Sequence, residues 1–249
     1  MPRRRFYVPP DSIRNGAAIL PSGQAHHLRD VLRIKAGEVV EIFDGAGRGY
    51  IGEVEFRGSE VIARGLQSLP PEESRVRLTL AAALIKSAKF ECILQKATEL
   101  GVHEIIPLKT NLSNIRLSDD KIALRLERWE RIVREAAKQC RRLAPPKVRA
   151  PQTLWDLLAA EEFSAFTRLL FYEEAPEPWR PGMLSERVLL CIGPEGGWES
   201  NEVKQARAAG CEIVHLGPWI LRAETAAIAV ISIVQHQLWN AGIFPAIAP

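Results

Sequence analysis

Cysteine pairs, long apolar runs and the common nucleotide and metal signatures are all missing from this 249-residue chain. Its four cysteines, Cys92, Cys140, Cys191 and Cys211, are scattered with no CxxC spacing, so neither a disulfide framework nor a zinc site is expected. That usage suits a reducing cytosol. No apolar stretch of signal-peptide length follows the basic start, because Phe6-Tyr7-Val8 runs straight into Pro9-Pro10-Asp11, and export is not expected. The greasiest segment, residues 225–234, is too short for a bilayer and continues into Gln235-His236-Gln237. It reads as a buried helix, with no membrane partner. There is no GxGxxG after an early strand and no GxxxxGK[ST], which sets aside the common dinucleotide and P-loop sites. GxSxG and HExxH are absent too, and the five histidines lack metal-ligand spacing, so no metal is expected. His215 falls inside a strand pattern and reads as structural rather than catalytic.

Charge is present but unevenly placed. Lys and Arg total 33 against 30 Asp and Glu, a formal net charge of +3. Residues 116–150 carry eleven basic against five acidic side chains, and residues 151–190 three against seven. A near-neutral total therefore hides a basic stretch, as a polyanion-binding surface requires. A solvated basic helix face is the plainer reading of the same stretch.

Residues 1–70 pattern as β structure. Val39-Val40-Glu41-Ile42-Phe43 is a strand, Asp44-Gly45-Ala46-Gly47 turns the chain, and residues 50–56 alternate apolar and polar. Arg57-Gly58-Ser59 turns it again before Val61-Ile62-Ala63. Short strands joined by Gly-rich turns suggest a small barrel. A short helical pattern lies between Ser22 and Arg33, and Pro70-Pro71-Glu72-Glu73-Ser74 is the candidate linker.

Beyond it, strands and helices alternate. Residues 76–85 are apolar almost throughout, as a strand buried on both faces should be. A helix over 89–100 closes at Gly101, and a strand follows at 104–108. Ile122, Leu126, Trp129, Val133, Ala136, Cys140 and Leu143 then recur at spacings of four and three along one amphipathic helix. Arg128, Arg131, Arg134, Lys138, Arg141 and Arg142 occupy the rest of its surface. Strands at 168–172, 187–192 and 212–216, a helix over 201–209 closed by Gly210, and a last helix from about Ala223 to Trp239 complete an α/β domain, residues 75–249, with a largely parallel sheet.

Two Gly/Pro-interrupted loops stand out, Ile192-Gly193-Pro194-Glu195-Gly196-Gly197-Trp198 and residues 216–225, LGPWILRAET, each between a strand and a helix. Ligands of open α/β sheets lie beyond the carboxyl ends of strands, and glycines let backbone approach them closely. A tight turn is the plainer reading of either loop alone; two of them together point to a site.

At these loops, "CIGPEGGWESNEV" followed by "LGPWILRAETAAIAVISIVQ", the sequence resembles the RsmE family, SPOUT-class methyltransferases that make 3-methyluridine in bacterial 16S (small-subunit) ribosomal RNA. Supporting segments span the chain: "RRFYV" at 4–8, "HHLRDVLRIKAGEVVEIFDGAGRGY" at 26–50, "KATELGVHEIIPL" at 96–108 and "RWERIVREAAKQC" at 128–140. The resemblance implies a PUA-like N-terminal barrel and an α/β domain with a SPOUT trefoil knot. It further implies S-adenosylmethionine (SAM) as cofactor, 16S rRNA as partner in the cytoplasm, and a homodimer through the knot and the C-terminal helix. The cofactor would lie against Leu84, Ile192, Gly193, Pro194, Glu195, Gly196 and Gly197, and against Leu216, Gly217, Ile220, Leu221, Arg222 and Thr225. The chain departs from the family where a glycine usually follows the Gln-Cys of the long helix, here Arg141, and where an arginine often sits among residues 110–113.

Methyl transfer to uracil N3 needs alignment of acceptor, methyl and sulfur, and the N3 proton has a pKa roughly two units above neutral, at ~1.36 kcal/mol per unit. A fixed guanidinium suits the anion left on the ring. Arg222 is the leading catalytic candidate, unless an ion pair with Glu195 or Glu224 engages it; Glu195 is the weaker candidate, as base. RNA phosphates would meet Arg3, Arg4, Arg5, Arg29, Arg33 and Arg48 in the front domain and Arg134, Lys138, Arg141 and Arg142 on the long helix. Two alternatives stay open: a non-catalytic rRNA-binding or ribosome-assembly protein, and a SPOUT methyltransferase with another RNA target.

Overall fold

The alternation read in residues 50–56 folds as expected, into the longest pairing of an N-terminal sheet. The computed structural model describes residues 3–71, 76–180 and 184–241, so most of the expected linker lies outside the described residues. The chain divides into two compact units, Met1–Glu73 with Arg134–Pro145, and Ser74–Val133 with Pro146–Pro249. The first unit thus takes up residues 134–145 from the sequence region expected to belong wholly to the second.

In the first unit, β1 (Arg5–Tyr7), β2 (Ile13–Arg14), β3 (Ala17–Ile19), β4 (Val39–Phe43), β5 (Gly49–Arg57) and β6 (Glu60–Ser68) form one sheet in the order β1-β4-β5-β6-β3-β2. Among the described residues nothing pairs β1 with β2, so the expected barrel is an open half-barrel. Helix α1 (Ser22–His26), continued by a π-type turn over His27–Val31, carries Ala25 and Leu28 into a core with Phe6, Val40, Ile42, Val54 and Val61. β1 runs parallel to β4 and sets Arg5 opposite Glu41. That register corrects one expectation. Arg5 is only 6% exposed, its Nε lies 2.9 Å from Glu41 Oε1, and Nη1 and Nη2 donate to the carbonyls of Ala137 (3.2 Å) and Arg142 (2.7 Å). Its guanidinium is taken up by Glu41 and by carbonyls at and just past the end of the 119–140 helix, and is not a surface phosphate contact.

The second unit is built on β7 (Arg77–Ala83), β8 (Glu104–Lys109), β9 (Lys147–Val148), β10 (Gln152–Thr153), β11 (Thr167–Phe171), β12 (Arg187–Ile192) and β13 (Glu212–Val214). The order is β10-β8-β7-β12-β11-β13, with β9 also on β8, and every pair is parallel. The apolar runs are buried on both faces. Leu78, Leu80 and Ala82 of β7 and Val188, Leu190 and Ile192 of β12 enter one core, while Ala81, Leu189 and Cys191 enter the other. Helices α2 (Ser87–Glu99), α3 (Asp119–Cys140), α4 (Leu154–Ala159), α5 (Ser200–Ala208) and α6 (Ala223–Asn240) connect and cover the strands. β9, β10 and α4 carry too few residues to show a period; α4 is capped by Thr153, whose Oγ1 accepts from Asp156 N at 3.1 Å.

α3 stops at Cys140, short of the stripe that extends to Leu143, because Arg141 adopts φ +68. β13 stops at Val214, leaving His215 and Leu216 beyond the strand. No helix among the described residues is long and apolar enough to cross a membrane. α6 buries Ala227, Val230, Ile231, Val234 and Leu238 and leaves Ile233 and Trp239 exposed.

Candidate active site

A cleft of about 270 Å³ opens past the carboxyl ends of β12, β11 and β13, three neighbours in the sheet. Tyr172 and Glu173, directly after β11, form one wall. Gly193, Pro194, Glu195, Gly197 and Trp198, after β12, form the second, and His215 to Arg222, after β13, the third. Ala223 and Ala226 close it from the first turn of α6. The carboxyl end of a parallel sheet is where chain direction leaves loops free to diverge around a ligand.

The first loop is held by its own tryptophan. Trp198 is buried and its Nε1 donates to Phe171 O at 2.9 Å, tying the loop to β11. A Cβ at Gly193 would stand 3.0 Å from that same Nε1, so the backbone lies directly on the indole. The turn closes with Gly197 N donating to Pro194 O at 3.0 Å, and Gly197 takes φ +74, the left-handed region where glycine carries no steric penalty. A Cβ there would run into the Glu173 carboxylate. Just beyond, Glu199 and Glu202 form a reciprocal capping box at the start of α5. Buried Glu202 also accepts from Asn111 N at 3.1 Å, and Asn111 Nδ2 donates to Glu199 Oε2 at 2.5 Å. The segment 110–113 is thereby tethered to the start of α5.

In the second loop, His215 Nδ1 lies 3.1 Å from Gly217 N and 3.2 Å from Gly217 O, so one ring nitrogen braces the turn. Trp219 and Ile220 stand 82% and 84% exposed. Arg222 is the N-cap residue of α6, exposed and on the cleft, and among the described residues it forms no ion pair. The pair considered for it is made by a residue that sequence reasoning missed. Lys89 Nζ lies 3.0 Å from Glu195 Oε1 and 3.8 Å from Glu224 Oε2. Burial pushes the Glu195 carboxyl up, but the hydrogen bond from Lys89, a backbone hydrogen bond and the Lys89 charge, with a smaller part from Lys86, outweigh it and hold the group below the usual carboxylate range. Tyr172 is also on the cleft; the hydrogen bond it donates to Glu174 (2.5 Å), with burial, pushes its phenol up to about 12, so it stays protonated near neutral pH.

The cleft gathers ten of the residues singled out in the two loops: Ile192, Gly193, Pro194, Glu195, Gly197, Leu216, Gly217, Ile220, Leu221 and Arg222. Gly196 backs onto Leu112, Thr225 is exposed on α6, and Leu84 is buried in the core, its carbonyl accepting from Ser113 Oγ; none of the three lines the cleft. In the first unit a separate basic cleft of about 460 Å³ brings together Arg3, Arg4, Lys138 and Arg141 beside buried Arg5. Arg141 is paired with Glu41, and Lys138 lies 5.3 Å from the Phe6 ring centroid. Arg29, Arg33, Arg48, Arg134 and Arg142 are not on it. Arg48 pairs with Asp44 at 2.6 Å, and Arg29 lies over the Phe56 ring.

Residues 72–235 match the RNA methyltransferase domain family, and residues 20–60 match the RNA methyltransferase PUA domain. A Synechocystis protein named ribosomal RNA small subunit methyltransferase E is 33% identical over 242 residues, covering 94% of this chain and 78% of its own. This chain belongs to the ribosomal RNA small subunit methyltransferase E family. Among solved structures of that shape, the methyltransferase E of Neisseria gonorrhoeae, bound to SAM, superposes with a TM-score of 0.85 at 30% identity, covering 95% of this chain and 98% of its own. A Legionella pneumophila protein solved with bound SAM gives 0.83 at 29% identity over the same shares. The N-terminal sheet of the family member described here is accordingly PUA-like, and its parallel sheet is that of the methyltransferase domain.

Proposed function

We propose that this chain transfers a methyl group from SAM to N3 of a uridine in 16S ribosomal RNA, giving 3-methyluridine. The observation that carries the reading is the single cleft to which both Gly/Pro loops contribute. Its residues fit a sulfonium cofactor. Backbone at Gly193 and Gly197 is bare where a Cβ would strike Trp198 and Glu173, and the carboxylate of Glu173 favours a cationic ligand. When bound, SAM supplies the electrophilic methyl.

The remaining task falls to the protein. Arg222, without an ion pair among the described residues, offers its guanidinium to the negative charge that spreads over N3 and the ring carbonyl oxygens, lowering the cost of losing the N3 proton. Glu195 is a poor proton acceptor, because Lys89 already neutralises it. Phosphates of the RNA bind the basic cleft of the first unit through Arg3, Arg4 and Lys138. The same reading has two chains pair through the knotted segment and α6 in the cytoplasm, which the exposed apolar side chains Trp219, Ile220, Ile233 and Trp239 support.

Nucleoside mass spectrometry of 16S rRNA tests this directly. A strain lacking the gene loses 3-methyluridine; the wild-type gene restores it and Arg222→Ala does not, although that variant binds SAM within a few-fold of wild type. Retention of 3-methyluridine in the deletion strain, or loss of a different modified nucleoside, refutes the proposal.

A further inference from the structure

Arg222 shares a cleft with Glu195 and is two residues from Glu224, yet it pairs with neither. A guanidinium beside carboxylates ordinarily forms a forked pair with one of them. The groups that engage both carboxylates come from elsewhere. Lys89, in the first turn of α2, reaches Glu195 at 3.0 Å on the loop after β12 and Glu224 at 3.8 Å at the start of α6. The Glu224 Oε2 atom is buried and accepts no hydrogen bond, so the Lys89 charge is what compensates it among the described residues. Lys86 adds its field at Glu195 without forming an ion pair among the described residues.

We propose that Lys89 is a positioning residue of the methyl-transfer site: by holding Glu195 and Glu224 it keeps the Arg222 guanidinium unpaired and available to an anionic pyrimidine ring. The inference rests on the role given to Arg222 above. Partly exposed ion pairs are individually weak, but the effect needs little energy, since a tenfold shift in the population of free Arg222 is ~1.4 kcal/mol. Without Lys89, Glu195 keeps only the Lys86 field and Glu224, with its buried oxygen, keeps no ion pair among the described residues, and the exposed Arg222 guanidinium is a cation that can turn to them.

Four variants test it: Lys89→Met, Lys89→Arg, Glu224→Gln and the double variant Lys89→Met/Glu224→Gln. The first readout is the rate at which phenylglyoxal labels Arg222, followed by peptide mass spectrometry without any ligand. The second is kcat and KM for SAM. In Lys89→Met, labelling of Arg222 slows several-fold and kcat falls about tenfold while KM stays within about twofold. Lys89→Arg recovers both, and the double variant recovers labelling and part of kcat, because the carboxylate with the buried oxygen no longer competes for the guanidinium. Labelling of Arg222 at the wild-type rate in Lys89→Met overturns the proposal. So does a double variant more impaired than Lys89→Met, which marks Lys89 as a strut between elements. If the wild-type chain transfers no methyl group, the functional reading fails while the labelling series still decides whether Lys89 frees Arg222.

Discussion

Replacing Arg141 by glycine and by alanine should separate a backbone cost from a side-chain contribution. Arg141 follows the last residue of α3 and adopts φ +68. A residue with a Cβ pays roughly 1–2 kcal/mol in that region, and glycine gives back about 0.4–1 kcal/mol through the greater freedom of its unfolded chain. The backbone therefore favours glycine by about 1 kcal/mol. Both substitutions remove the guanidinium that pairs with Glu41, a half-exposed partner worth about 0–1 kcal/mol, and both leave Glu41 with Arg5. Arg141→Gly should thus be near wild-type stability, and Arg141→Ala about 1 kcal/mol below Arg141→Gly. All six tryptophans belong to the other unit, so the readout is amide hydrogen exchange, by mass spectrometry, of peptides spanning β4 and β5. Exchange about fivefold faster in the alanine variant than in the glycine variant is expected. Equal rates refute the reasoning, since they mean position 141 carries no left-handed strain. A glycine at 141 would meet this turn without cost, and this chain meets it with an arginine held by Glu41.

Gly197→Ala and Gly210→Ala both place a Cβ on left-handed backbone, at φ +74 and +81, and each should cost about 1 kcal/mol in thermal unfolding. Only Gly197 also faces Glu173 on the cleft, so calorimetry should show weaker SAM binding for that variant alone; equal losses in both would deny Gly197 a place at the site. Arg4→Gln should weaken RNA binding and reduce the slope of log affinity against log salt by about one, with SAM binding unaffected. An unchanged slope would remove Arg4 from the RNA interface.

Much of the second unit is legible in sequence because its signals are local. The runs at β7 and β12 are apolar throughout since both faces are buried, and the two loops announce themselves by Gly and Pro at strand ends. What escaped depends on register across long separations. Arg5 looks like one of three surface arginines until a parallel β1–β4 pairing sets it against Glu41 and a helix end more than 130 residues away. Lys89 sits in an unremarkable first turn and gains meaning only when α2 approaches Glu195, 106 residues on. Glu173 and Tyr172 join the cleft because β11 lies between β12 and β13, an order no local pattern encodes. Strands of two or three residues, such as β2, β9 and β10, are too short for any period to appear.

The central claim, that the loops after β12 and β13 frame a cofactor pocket, is tested most directly by calorimetric titration of SAM into the wild-type chain and into Gly193→Leu, whose side chain would have to displace the Trp198 indole. The account predicts one SAM bound per wild-type chain and binding abolished in the variant. Equal binding to both proteins, or none to the wild type, contradicts it.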